Sequence, residues 1–152
     1  ILLGQRCDFV ISNSTGFDML PGFWFGKRIL VYQIRSYRYL IDMPNFTYTE
    51  MKVIRNGFRV ALSEQLAAES RLWGGAWTNK IFDLHRSLES GGYTVQKYNP
   101  EDILENIKRF LKHEEQVIDG FWELWHQYND GIMKQLGRPL PFDHRSRMLA
   151  CP

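Results

Sequence analysis

The apolar positions of this chain follow two rhythms. Short β-rich runs stand at positions 8–12 (DFVIS) and 28–34 (RILVYQI), each long enough for one buried strand. Between them, positions 17–25 read as a short helix. Pro21 inside it shortens or kinks it, and Gly26 stops it. Strand, helix and strand in fewer than about 30 residues predict a βαβ unit with two parallel strands.

The pattern dissolves over positions 35–49, RSYRYLIDMPNFTYT, which read as a long irregular connection of the kind that often carries function. Positions 52–61 read as a hairpin or an extended segment turning at Asn56-Gly57. A helix starts with Ser63 as N-cap and breaks at Gly74-Gly75. A second covers positions 78–88 and ends at Gly91-Gly92, before a short strand at 93–97. From Asn99 onward the period is helical. Asn99 is an N-cap, Pro100 holds the first helical position, and Glu101 and Asp102 supply first-turn acids. Ile103, Leu104, Ile107, Phe110 and Leu111 recur at helical spacing. A further helix places Val117, Ile118, Phe121, Trp122, Trp125, Tyr128, Ile132 and Leu136 on one side. The Pro-rich tail, RPLPFDHRSRMLACP, is expected to wrap the surface. The sum is an α/β fold: a partial Rossmann-like parallel sheet with a helix-rich C-terminus.

Composition narrows the function classes. The 152 residues form a single domain, 1–152, and 44% hydrophobic content is enough for a core. A net charge of +2 gives no clustered basic case for nucleic acid. Cys7 and Cys151 have no CxxC spacing, so a reducing compartment is expected and the localisation reads as cytoplasmic. No apolar run reaches the ~18–20 residues of a transmembrane segment. The opening ILLGQRCDFV has no Met and no cap before the first strand, from which a fragment, the C-terminal part of a longer protein, is expected.

The candidate chemistry lies in SNSTG: Ser12, Asn13, Ser14, Thr15 and Gly16. In an open parallel sheet, ligands sit outside the carboxyl ends of the strands. This stretch follows the first strand and opens a helix, whose unpaired N–H groups and dipole accept phosphate. Gly16 permits close backbone approach, and the hydroxyls add donors. The plainer reading is a capping motif, with Ser14 or Thr15 as N-cap. Neither a Walker A loop nor GxGxxG is present.

The segment CDFVISNSTGFDMLPGFWFGKRILVYQ resembles GT-B glycosyltransferases, in particular a bacterial family associated with surface-polysaccharide genes, whose core reads xDFxIGxSSG…LFGKPxLxxN. GGYTVQKYNPEDILENIKRFL and LGRPLPFDHRSRML are similar to two later segments of that family, in the same order. The family pattern has Pro where Arg28 stands and Gly near Ser12 or Asn13, and Pro21-Gly22 is unusual for it. The resemblance implies the C-terminal, donor-binding half of a GT-B enzyme, inactive without its missing N-terminal domain, with a localisation extending to the periphery of the inner membrane. A nucleotide-diphosphate sugar would lie over Ser14, Thr15 and Gly16, with Lys52, Arg55, Asn99 and Glu101 as weaker donor contacts. No cofactor and no metal are implied, because helix dipole and amides stabilise the leaving diphosphate. The catalytic base is unassigned. Asp18 reads as a first-turn acid, and His85, His113, His126 and His144 lack ligand spacing.

The aromatic positions divide. Phe121, Trp122 and Trp125 read as core or interdomain contacts. If the 117–136 helix supports an absent domain, its apolar face would be open to dimerisation. Tyr37 and Tyr39, in the irregular connection, are better candidates than these for meeting a ligand. Two alternatives stay open: a non-hydrolysing UDP-sugar epimerase-like domain, and a non-catalytic interaction domain in which SNSTG only caps a helix.

Overall fold

A computed structural model describes residues 2–13, 19–32, 34, 36, 37, 40, 43–73, 88–135, 137 and 146–150. Among these residues the helices are α1 (Leu2–Arg6), α2 (Leu20–Phe25), α3 (Leu62–Trp73), α4 (Pro100–Lys112) and α5 (Phe121–Gln135). The strands are β1 (Phe9–Ser12), β2 (Arg28–Val31), β3 (Phe46–Thr49), β4 (Lys52–Arg55), β5 (Phe58–Arg59), β6 (Tyr93–Gln96) and β7 (Arg147–Leu149). β1, β2, β3 and β7 form a parallel sheet in that order, with Phe9 opposite Arg28, Ile29 opposite Phe46 and Thr47 opposite Arg147. β5, β4 and β6 form a small antiparallel sheet. The protein is therefore α/β, with a four-stranded parallel sheet and helices. No described helix is long and apolar enough to cross a membrane.

The β1–α2–β2 unit is the expected βαβ, but its helix begins later. α2 starts at Leu20, so Pro21 lies in its first turn, where a missing N–H and a fixed φ fit the helix. Its N-cap is Met19, in helical conformation and without a side-chain cap bond, so neither Ser14 nor Thr15 caps it. Gly26 ends it at φ 61°, a left-handed conformation that costs glycine little. Gly22 is buried because a Cβ there would run into Ile29 and come within 2.9 Å of Phe46.

Two expectations about irregular chain are corrected. Positions 46–49 are a central strand rather than the end of a loop, and all four residues are buried. Phe-Thr-Tyr-Thr alternates two aromatics with two β-branched residues, a strand signal hidden behind Pro44-Asn45. The tail supplies β7, which pairs with β3. α3 begins at Leu62, which places Ser63 inside the helix instead of at its cap. The helix at positions 78–87 and the break at Gly74-Gly75 lie outside the described residues. Leu88 to Ser90 are helical and turn at Gly91-Gly92, as read from sequence.

Both faces of the parallel sheet are covered. Ile29, Val31, Phe46, Tyr48 and Met148 join the main core, which also takes Val53, Val60, Leu66 and Tyr93 from the second sheet and α3. On the other face Leu30 and Leu149 pack with Phe110 of α4. Phe121, Trp122 and Trp125 of α5 are 3%, 7% and 2% exposed, and all three belong to the main core. The indole of Trp125 donates to the Tyr37 carbonyl at 2.7 Å, and that of Trp122 to Ser146 at 3.2 Å. Phe121, Trp122 and Trp125 are thus buried in this chain's own core, the first of the two readings given for them.

Candidate functional site

Because all four strands of the main sheet are parallel, their carboxyl ends share one edge. Ser12 and Asn13, Tyr32 and Glu50 lie there. Ser12 is buried, and its carbonyl accepts the Tyr32 N–H at 2.9 Å. Asn13 is exposed. Ser14, Thr15, Gly16 and Asp18 lie outside the described residues. α2 contributes less to a phosphate cradle than its place in the chain suggests. It has only six residues, and Pro21 lacks one of the N–H groups of its first turn.

The secondary candidates are placed and engaged. Lys52, two residues past Glu50, pairs with Asp102 at 3.1 Å. Arg55 pairs with Glu64 at 3.1 Å and lies over the Tyr93 ring, 4.9 Å from its centroid. Asn99 caps α4, its Oδ1 accepting the Asp102 N–H at 2.7 Å. Glu101 is exposed in the first turn of α4. The structure therefore brings Lys52 to the carboxyl edge along with Asn99 and Glu101, through the Lys52–Asp102 pair. Arg55 belongs to the hairpin, whose Asn56 and Gly57 adopt φ 52° and 80°.

Sequence reasoning missed a buried polar network at this edge. Glu50, immediately after β3, is 6% exposed, and Arg59 reaches its Oε2 at 2.6 Å. Gln65 of α3 donates to the Val60 carbonyl at 2.8 Å and, at 3.5 Å, to Glu50 Oε1. Glu69, one turn further along α3, accepts the Ser36 hydroxyl and, at 3.2 Å, the Tyr37 N–H. Tyr98 donates to the Glu50 carbonyl at 2.5 Å. Gln65 and Glu69 are four residues apart, so they share the face of α3 that Leu66 and Ala68 flank. An amphipathic reading turns such a polar pair outward. The only sequence signal for the reverse is that Leu66 and Ala68 leave little other face to bury.

Tyr37 is at the centre of this network, a correction to its expected ligand-facing role. It is fully buried, its hydroxyl donates to Gln65 Oε1 at 3.0 Å, and the Met51 N–H donates to that same oxygen at 3.0 Å. Burial, and after it the Glu50 charge, push its phenol well above the ordinary 10.0. The side chain ties Tyr37 to Gln65 of α3, to Met51 just ahead of β4 and to the Phe121 ring of α5. Tyr39 lies outside the described residues. Of the histidines, His113 caps α4 at φ 58° beside Arg28, and His126 pairs with Asp130 one turn on. His85 and His144 lie outside the described residues. Cys7 donates to the Gly4 carbonyl at 3.2 Å, a packing role.

Arg28, where the resembled family has Pro, has a structural task at the opposite, amino end of the sheet. It stacks on Phe110 at 4.1 Å, donates to the Phe110 carbonyl at 2.6 Å and pairs with Glu115 at 3.1 Å. Arg147 reaches the same Glu115 oxygen at 3.2 Å.

No protein-family model, no curated protein and no solved structure matches this chain.

Proposed function

We propose that this chain is the donor-binding half of a glycosyltransferase of GT-B type, taking a nucleotide-diphosphate sugar and transferring the sugar to a glycan or lipid-linked acceptor. The observation that carries the reading is the parallel β1–α2–β2 unit. It leads Ser12 and Asn13, the entrance to SNSTG, out at the carboxyl edge beside the ends of β2 and β3. The resemblance of SNSTG and its flanks to glycosyltransferase cores supplies the ligand class.

In this reading the phosphate contacts fall to backbone and hydroxyls of residues 13–16 more than to the short α2, with Gly16 allowing close approach. Lys52, already matched by Asp102, contributes to local potential more than to a direct phosphate bond. The catalytic base belongs to the domain that the proposal requires in addition to this chain.

The test is ligand-observed NMR with UDP, GDP, CMP and their sugars, on this chain and on Gly16→Val. Saturation transfer to a nucleoside diphosphate, lost in the variant, is the expected result. Transfer to no nucleotide by a chain shown to be folded returns SNSTG to a purely local structural role and favours the interaction-domain reading.

A further inference from the structure

The small antiparallel sheet ends in a surface that the candidate edge does not use. Its register sets Tyr93 of β6 and Phe58 of β5 directly opposite Arg55 of β4, so the three side chains form one row on one face of the sheet. The Arg55 guanidinium leans to the β6 side, 4.9 Å from the centroid of the Tyr93 ring. There it pairs at 3.1 Å with Glu64, in the first turn of α3. The Tyr93 hydroxyl donates to the same Glu64 oxygen at 3.1 Å. Because Arg55 leans away from β5, it leaves the Phe58 ring uncovered. Phe58 is 78% exposed, the highest value among the described large apolar side chains.

The ring stands on a built tip. Phe58 follows Asn56-Gly57, whose φ values of 52° and 80° suit a two-residue hairpin turn. The next residue, Arg59, points to the other face and is held by Glu50 at 2.6 Å, which fixes β5 from behind. A lone exposed apolar residue is ordinary on a protein surface. Phe58 differs in what stands beside it. The Arg55 and Glu64 side chains are 48% and 42% exposed, so their pair presents donors and acceptors to solvent with no net charge. The second Glu64 oxygen makes no hydrogen bond among the described residues.

We propose that Phe58, Arg55 and Glu64 form a binding platform for a neutral oligosaccharide. One sugar ring lays the C–H groups of its flat side on Phe58, whose ring face carries the negative part of the aromatic quadrupole. A neighbouring sugar sets its hydroxyls against the Arg55 N–H groups and the Glu64 carboxylate, which between them donate and accept as hydroxyls require. Adjacent strands lie about 4.8 Å apart, so the Phe58 ring and the guanidinium over Tyr93 are separated by about 10 Å or less, a span that linked sugars cover. The zero net charge of the pair disfavours phosphates, nucleic acid and acidic peptides, each of which would meet Glu64. A single ring offers a protein helix no groove to enter. The platform lies at the far end of β4 from Lys52, about 10 Å beyond the candidate edge. On the glycosyltransferase reading the oligosaccharide is the acceptor, but the binding chemistry does not depend on that reading.

The test is ligand-observed NMR of the whole chain with cellotriose, maltotriose and chitotriose, with no nucleotide present. Saturation transfer to at least one of these sugars is the expected result. Phe58→Ala should weaken binding about fivefold or more, as loss of one ring contact does, and Phe58→Trp should keep it. Phe58→Leu, which keeps apolar bulk without the ring, should behave like Phe58→Ala. Glu64→Ala should also weaken binding, whereas Trp24→Ala, at an exposed aromatic elsewhere, should not. Thermal melts check folding, and the Phe58 variant that keeps the wild-type midpoint decides. No transfer to any of the sugars, transfer unchanged by a folded Phe58→Ala, or an equal loss in Trp24→Ala overturns the inference. Full binding by Phe58→Leu also overturns it, because any apolar patch would then serve. The nucleotide experiment uses other ligands and a variant at Gly16, so either site can fail its test while the other passes.

Discussion

At the scale of single residues, the most informative position is Tyr37. Its hydroxyl satisfies Gln65 and the Met51 N–H in a place without solvent, so truncation to Phe leaves two buried groups short of a partner. Tyr37→Phe should cost about 1–3 kcal/mol by urea denaturation, because an orphaned buried polar group costs its desolvation. The same burial sets a pH dependence. The folded phenol titrates well above 10.0 and the unfolded one near it. The stability tied to this group is therefore complete below about pH 10 and declines as pH climbs above it, since only the unfolded state then releases the proton. Alkaline melts of wild type should fall off more steeply than those of Tyr37→Phe, and parallel curves would contradict this. Sequence gave no hint of the role: an aromatic between two Arg positions in an irregular stretch looks the same whether it faces ligand or core.

Among the elements, legibility follows how local the signal is. The α4 cap was readable because Asn99, Pro100 and the first-turn acids all act within one turn. The Asn56-Gly57 turn was readable for the same reason. β3 and β7 were not, because two short runs become strands only by pairing with each other and with β2, which no local pattern reports. The start of α2 was misread because Pro21 fits a helix interior badly and a first turn well, and the pattern alone does not say which applies. Two substitutions separate a true cap from an interior Ser. Asn99→Ala should cost about 1 kcal/mol. Ser63→Ala, inside α3, should be neutral or slightly stabilising given the helix propensity of Ala. Thermal melts of both would expose the opposite ordering if Ser63 were a cap. Gly22→Ala probes how tightly α2 lies on the sheet. Its methyl would meet Ile29 and Phe46, so a loss of about 1–3 kcal/mol is expected, and an unchanged midpoint would mean that α2 shifts freely.

For the molecule as a whole, the carboxyl end holds the candidate ligand edge and the amino end holds the knot that closes the sheet. Glu115 sits in that knot with its side chain 2% exposed, receiving Arg28 of β2 and Arg147 of β7. Those two strands are separated by β3, so one carboxylate links the second strand to the last across a neighbour. The segment behind it also brackets β7: Ile118 donates to the Met148 carbonyl at 2.8 Å, and Ala150 to Gln116 at 3.0 Å. Both arginines are about one-third exposed, at 29% and 37%, so water can take them over in part when the carboxylate is removed. The loss on Glu115→Ala should then fall below the 3–5 kcal/mol of a fully buried pair, at about 2 kcal/mol. It should also be local. β7 is three residues long and lies at the edge of the described sheet, with β3 as its one strand partner, so it is the strand most dependent on that carboxylate. Amide hydrogen exchange should quicken at Met148, Leu149 and the last turn of α4, while Ile29 and Leu30 stay protected. Uniform loss of protection across the sheet would show instead that the knot supports the whole fold. If β7 alone loosens, the parallel β1–β2–β3 core persists without its C-terminal strand, and the candidate edge at Ser12 and Glu50 keeps its geometry in the variant.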